Sequence, residues 1–385
     1  EYRNVVWAID EHPAGVLWIA TYGGGLVRFD LEMERFTSYA PDPADPEFWG
    51  HEWIAAMFID QSGSLWIGTG AGLDHFDPTT EQFTTYGHDP NDPTSLGYDN
   101  ITEILQDRSG QIWIGTNGWG LDRFDPETET FRHYRHSPDD PASLGDNYIW
   151  SMTEGPADLL WIGTGNGGLD AFDPNHETFV HFRHDPTDPR SLSSNRIRWI
   201  HHDQSGILWV GTQGGGVNKS DPASARFTHY RGDTDDPQRP SDYHILSLLE
   251  DEDDTLWIGT AGGGLDALDR ETGEWRHYRH DPADPNSLGN NSVQAIHQDS
   301  SGIFWLGTAD GFYRFDPHTD RFERLPHKPP DPGDVKRETI YAIAEDSEGI
   351  LWLGTYGRGL SEFDPVTGEF AYHQQEWDPD TGLPE

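Results

Sequence analysis

Leu65-Trp66-Ile67-Gly68-Thr69 is one of eight copies of the same phrase. It recurs at 17–21 (with Ala20 in the glycine place), Ile112–Thr116, Leu160–Thr164, Leu208–Thr212, 256–260, Phe304–Thr308 and Leu351–Thr355. The tryptophans fall at 18, 66, 113, 161, 209, 257, 305 and 352, in steps of 47 or 48 residues. A constant period of this length marks a tandem repeat, so the fold must be read per unit.

The unit at 195–237 reads as four short strands. Residues 195–203 are rich in β-branched and aromatic side chains and predict a first strand. A turn at 204–206 leads to 207–212, nearly all apolar and therefore expected to be buried on both faces. Gly214, Gly215 and Gly216 permit the next turn. A third strand is expected at 217–221 and, after the Asp221-Pro222 turn, a fourth at 227–231, with a longer connection over 232–242. A lone four-stranded sheet cannot bury its apolar face, but stacked copies can. The predicted fold is all-β: an eight-bladed β-propeller with four antiparallel strands per blade. It is read as a single domain over 1–385, with blades at about 1–48, 49–96, 97–143, 144–191, 192–239, 240–287, 288–335 and 336–385.

No strand is left over at either end to complete the other terminal blade. Closure is expected to rest on blade 8 packing against blade 1, with the termini close together. The last residues, 377–384, resemble an inter-blade linker, and the alternative is that they led into a further domain. The chain opens at Glu1 with neither Met nor a signal peptide, which reads as a processed or trimmed start.

The repeated tryptophans are read as inter-blade packing residues, and the recurrent third-turn aspartates (Asp30, Asp77, Asp125, Asp173, Asp221, Asp269, Asp316, Asp364) as structural. His12 and Gly155 replace the first-strand aspartate, and Asp158 and Asp254 replace a turn glycine. These four are read as neutral turn variation.

The formal charge is -43, with only three lysines (Lys219, Lys328, Lys336). No basic stripe is available to neutralise phosphates, which argues against nucleic acid as a partner. An anionic membrane surface would repel the chain, and no stretch approaches the ~20 apolar residues of a membrane helix. The acid is either an adaptation to salt or the solvated side chains of repeated Asp-Pro turns. There is no cysteine, which excludes disulfides and thiolate metal sites.

Residues 100–126, running from Asn100 through Asp107, Gly110, Trp113 and Thr116 to Arg123-Phe124-Asp125-Pro126, resemble the repeat of the two-component regulator propeller family. The linker His-Asp-Pro-x-Asp-Pro-x-Ser-Leu at 184–192 and 280–288 is similar to that family's as well. The resemblance covers essentially the whole chain. It implies the periplasmic or extracellular sensory part of a hybrid sensor kinase, often one responding to glycans. In that family longer arrays are followed by an immunoglobulin-like domain, a membrane helix and a kinase.

Function is expected where the repeats disagree. The second-to-third turns and the linkers share one propeller face, and loops on a rigid scaffold carry binding. The turns present Tyr22 in blade 1, Asn117 and Trp119 in blade 3, Asn166 in blade 4, Gln213 in blade 5, and Tyr356 and Arg358 in blade 8. The first strands begin with His51 (with Glu52 and Trp53), Tyr148, Arg196, Tyr243 with His244, and Arg337 with Glu338. Aromatic faces beside amides suit a sugar ring, and Trp119 in its glycine turn has no evident core to fill. Tyr22 and Tyr356 could instead pack together at the seam.

The expected activity is non-enzymatic recognition of a small polar ligand or glycan at the channel mouth. A protein partner on the same face is the alternative. No cofactor is called for. Most histidines recur at fixed places (His133, His181, His229, His277; His88, His136, His184, His280), too far apart to share a metal at ~2 Å ligand distances. They are expected to bond the following Asp or a neighbouring carbonyl. The Asp-Pro linkers lack the density of a calcium loop. No nucleophile or phosphate motif appears. A polysaccharide-lyase reading would need His51 with Glu52, which neighbour each other on one strand and so face apart, or His244 with Glu250.

Overall fold

A computed structural model of the chain describes residues 5–22, 25–33, 35–39, 54–203, 206–221, 226–230, 237–251, 253–327, 339–356 and 359–373. The architecture is the expected all-β, eight-bladed β-propeller. Eight sheets each hold four strands in sequence order, antiparallel throughout. No α-helix occurs among the described residues. The chain divides into two compact units, Ala55–Leu248 and the remainder, Glu1–Ile54 with Leu249–Glu385.

Blade 3 shows why the repeat folds as it does. Its strands are Ile101–Gln106, Ile112–Thr116, Leu121–Asp125 and Thr130–Tyr134. The second strand is buried at every position, as its unbroken apolar run predicts. Gly115 is required there: a Cβ would lie 2.7 Å from Ile149 Cγ2 on the first strand of blade 4. The Trp113 ring meets Phe172 of blade 4 edge-on, with centroids 5.6 Å apart. The same joint links Trp66 to Phe124, Trp257 to Phe315 and Trp305 to Phe363, at 5.1–5.4 Å. Within the second unit Trp352 of blade 8 meets Phe29 of blade 1 at 5.3 Å. Glu11 also accepts bonds from Ser347 N (2.7 Å) and Oγ (2.8 Å). Blade 8 therefore packs directly on blade 1, each with its own four strands. The terminal residues themselves lie outside the described ones.

Seven of the eight second-strand indole N–H groups are also anchored. Six first-strand aspartates (60, 107, 203, 251, 299, 346) accept them at 2.7–2.9 Å. The other carboxylate oxygen closes the intervening turn, as in Asp299 Oδ1 with the backbone N–H of Ser301 and Ile303. Two substitutions that looked neutral are not equivalent here. In blade 1 the His12 carbonyl replaces the carboxylate at 2.8 Å. In blade 4 Gly155 offers nothing, and Trp161 Nε1 is buried without a partner. Asp158 and Asp254 take the glycine conformation at φ 59° and 60°. The third-turn aspartates are structural as read: Asp77 accepts Thr79 N (2.8 Å) and Thr80 Oγ1 (2.9 Å), and Asp364 accepts Val366 N at 2.7 Å.

The histidines hold linkers, though not through the following aspartate. His133 Nδ1 donates to Asp122 Oδ1 at 2.7 Å and Nε2 faces the Pro93 carbonyl at 3.1 Å. Asp122, fully buried on the third strand, also accepts Gly97 N at 2.6 Å. His181, Asp170, Gly145 and Pro141 repeat this clamp. Two acceptors on one imidazole favour the doubly protonated ring. The hydrogen bond to the aspartate accordingly raises the pKa of both histidines, against the opposing effect of burial. Linker histidines bond carbonyls, as expected: His88 Nδ1 to Leu96 O at 2.8 Å, and His136, His184 and His280 to Leu144, Leu192 and Leu288. The linker carboxylates of Asp89 and Asp92 turn back onto the backbone N–H of Asn91 (2.8 Å) and Thr94 (2.9 Å).

Two outcomes are expected. Asp299→Ala removes the indole and turn bonds together and lowers unfolding free energy by about 2–3 kcal/mol at pH 7 in urea titrations. Burial would raise the Asp299 pKa, but bonds from Ser301, Trp305 and Ile303 outweigh it and hold it low. Its charge-dependent stabilisation is thus present above about pH 4 and lost as pH falls through the lowered folded value. For the raised His133 and His181 the sign reverses. Their contribution is full below about pH 6.5 and lost as pH rises through the folded value. Thermal unfolding of a His133→Gln/His181→Gln variant should differ most from the parent at pH 6 and converge on it by pH 9.

Candidate functional site

The first strands of successive blades pack side by side and form the inner edge of each unit. In the Ala55–Leu248 unit the second-to-third turns are tied to the starts of these strands. Asn117 bridges Tyr148, and Gln213 bridges His244. Gly118 N reaches Asn147 O at 3.1 Å, Gly165 N reaches Tyr148 O at 2.8 Å, and Gln213 N reaches Arg196 O at 2.8 Å. Each turn thus touches the start of its own inner strand or that of the next blade. Asn117, Asn166, Arg196, Gln213 and His244 share this end, as the unit predicts. Asn117, Asn166 and Arg196 are exposed. Gln213 Oε1 is buried without a hydrogen-bond partner. His244 packs its ring on Tyr243, with centroids 4.4 Å apart.

Residues missed in the sequence sit two and three places further on. The inner strands carry a β-bulge, with register shifts between Ile149 and Ser151 and between Ile197 and Trp199. A bulge re-aims a side chain that regular alternation would bury. Trp150 and Arg198 occupy the bulges of blades 4 and 5. The guanidinium carbons of Arg198 and Arg196 lie 5.0 and 5.8 Å from the Trp150 ring centre. Among the described residues neither arginine is paired with a carboxylate. The next position faces the glycine of the repeated phrase: Glu103 opposite Gly115, Ser151 opposite Gly163, Trp199 opposite Gly211. Burial pushes the Glu103 carboxyl up to about 8, so it is mostly neutral at pH 7. Ser151 Oγ is buried and unpartnered. The signal for these residues was present: the pairs 102–103, 150–151 and 198–199 read Thr-Glu, Trp-Ser and Arg-Trp.

Trp119 is less free than its glycine turn suggests. Its indole stacks on Tyr98 at 5.8 Å and carries Arg135 at 4.7 Å, leaving it 40% exposed. In the other unit Tyr356 lies 6.1 Å from Tyr341, ring to ring. His51, Arg358 and the side chain of Tyr22 lie outside the described residues, as do Glu52, Trp53, Arg337 and Glu338. Glu250, the carboxylate of the lyase reading, is ion-paired with Arg270. Among the described residues no cluster of three metal-ligating side chains occurs. What the arrangement can do chemically is stack flat rings and bond polar groups around them.

Six segments, at 95–118, 143–166, 191–214, 239–262, 287–310 and 335–357, match the family model of the two component regulator propeller. None of the curated proteins compared with the chain matches it. Among solved structures it is similar to BT3049 of B. thetaiotaomicron, described as the extracellular domain of a hybrid two component system. Identity is 25% and the TM-score 0.61, over 99% of this chain and 54% of that one. The extracellular domain of BT4673 from the same organism, described as a one component system, is 21% identical with a TM-score of 0.51, over 95% and 55%. The computationally designed Ika8 protein is 13% identical with a TM-score of 0.63, over 94% and 96%, a likeness of fold alone. The chain thus spans about half the length of the two B. thetaiotaomicron domains. With its eight tandem phrases and six matched segments, the chain belongs to the two component regulator propeller family.

Proposed function

We propose that this chain is a non-enzymatic, ligand-binding sensory propeller that works outside the cytoplasm and recognises an oligosaccharide or similar polar ligand. One observation carries the reading. The large exposed aromatic side chains of the described residues are Trp119 (40%), Tyr148 (45%), Trp199 (48%) and Tyr243 (50%). All four belong to second-to-third turns or to inner strands and their starts in one unit, among the amides of Asn117, Asn166 and Gln213. Exposed aromatic rings sacrifice burial, and amphipathic rings beside amides suit the C–H face and hydroxyls of a sugar. The likeness to the extracellular domain of a hybrid two component system supports the location, and with the family match the sensory role. The share of that structure covered makes signalling output a matter for the full-length protein.

Tyr148→Ala and Trp199→Ala should each weaken oligosaccharide binding about tenfold in calorimetric titration, while unfolding free energy changes by less than about 1 kcal/mol. A glycan array on which nothing binds, with a protein retained stoichiometrically through purification, would sink the sugar reading in favour of a protein partner.

A further inference from the structure

The formal charge of -43 makes any cation without a carboxylate partner notable. Some described cations hold carboxylates: Arg270 holds Glu250 and Asp254, Arg132 holds Glu177, and Arg108 reaches Glu154. Others, Arg135, Lys219 and Arg276, each lie singly over an indole. Arg196 and Arg198 are different. Both are exposed, both border the same indole, and among the described residues neither has a carboxylate partner. Arg196 immediately precedes the inner strand of blade 5, Ile197–His202, and Arg198 is its bulge residue, so the backbone itself brings the two guanidinium groups to Trp150 of blade 4. Tyr148, two residues before Trp150, remains exposed. Gly165 lets its turn sit closely on this strand: a Cβ there would meet Tyr148 Cβ at 2.9 Å and the Trp150 ring at 3.6 Å.

We infer that Arg196, Arg198 and Trp150 form a subsite for an anionic group carried on a sugar ring, a carboxylate or a sulfate, the ring lying against Tyr148 or Trp199. The inference rests on the oligosaccharide reading and narrows it to acidic sugars. Guanidinium forks match the planar or tetrahedral oxygens of such groups. The surrounding field of the chain repels anions, so a bare acidic surface would select against them. Two local cations reverse that selection at one place. An acidic protein would satisfy the same charges. The flanking aromatics on an inner edge favour a compact ring over an extended chain, and a peptide probe separates the two.

The test is calorimetric titration of the full chain in 0.15 M salt with four probes. These are a tetragalacturonate, its fully methyl-esterified counterpart, a galactose tetrasaccharide bearing only sulfates, and a poly-glutamate peptide. The expected result is at least tenfold tighter binding of the carboxylated or the sulfated sugar than of the uncharged ester, and weak binding of the peptide. The tighter of the two acidic sugars identifies the anion. Arg196→Gln and Arg198→Gln should each bring the acidic sugar down to the affinity of the ester and leave the ester unchanged. If Arg198→Gln lowers the unfolding temperature, Arg198→Lys keeps the charge without the fork and should lose most of the preference. Equal binding of charged and uncharged sugars, or an equal loss of both in the arginine variants, overturns the anionic subsite while the sugar reading stands. Peptide binding as tight as the best sugar overturns it in favour of an acidic protein. No sugar binding at all overturns both.

Discussion

The indole of Trp113 donates its N–H to a carboxylate six residues back and turns its edge to Phe172 in the following blade. Everything else in the array depends on this joint. A four-stranded sheet has two apolar faces and too little mass to cover either, so a blade is stable only through its neighbours. The joint answers both needs. The aspartate fixes the indole in its own blade and closes the first turn, and the phenylalanine meets it from the next. An edge-on aromatic pair adds about 0.5–1.5 kcal/mol beyond burial. The glycine of the same phrase lets the next inner strand come into contact, with Ile149 within 2.7 Å of where its Cβ would be.

The acidity of the chain follows from the same economy of turns. A carboxylate that accepts backbone N–H groups is a turn-former first and a charge second. Asp77, Asp92, Asp125 and Asp185 all titrate below the ordinary range because hydroxyl and backbone donors hold them ionised. Linkers between blades use the device repeatedly, with histidines fastening the ends. The negative charge is thus distributed over the scaffold, and within it Arg196 and Arg198 are two cations brought to one indole.

The repeated phrase made blade number, strand order and the buried second strand legible. Its period is long and its residues are those that burial demands. Asn117, Asn166, Arg196, Gln213 and His244 could be placed at one end because they sit in the turns and strand starts that the repeat assigns to that end. Trp150, Arg198, Trp199 and Glu103 could not be, because alternation assigns each strand residue to one face or the other. An inserted residue shifts that assignment without leaving a pattern of its own. The neighbours of Trp119 were hidden for a related reason. Tyr98 and Arg135, which pack on it, stand 21 residues before it and 16 after, on a linker and just beyond a fourth strand. Gly155 passed as a harmless variant because a turn tolerates glycine, whereas the loss is felt at Trp161.

Trp161 stands at a joint that is incomplete on both sides. Its carboxylate is missing at Gly155, and blade 5 has Ser220 in the place of the phenylalanine. It is the one second-strand tryptophan of the eight that is not fully buried. In an array held by nearest neighbours, each junction contributes its own term to stability. The same two blades supply Tyr148 and Trp150 from one side and Arg196 and Arg198 from the other. A molecule seated there touches both blades at the junction where the aromatic pair is replaced by aliphatic packing around Trp161, among Leu169, Ile197 and Leu208. Whatever binds the folded array there adds its own contacts to those that hold the two blades together, and so stabilises the junction it occupies.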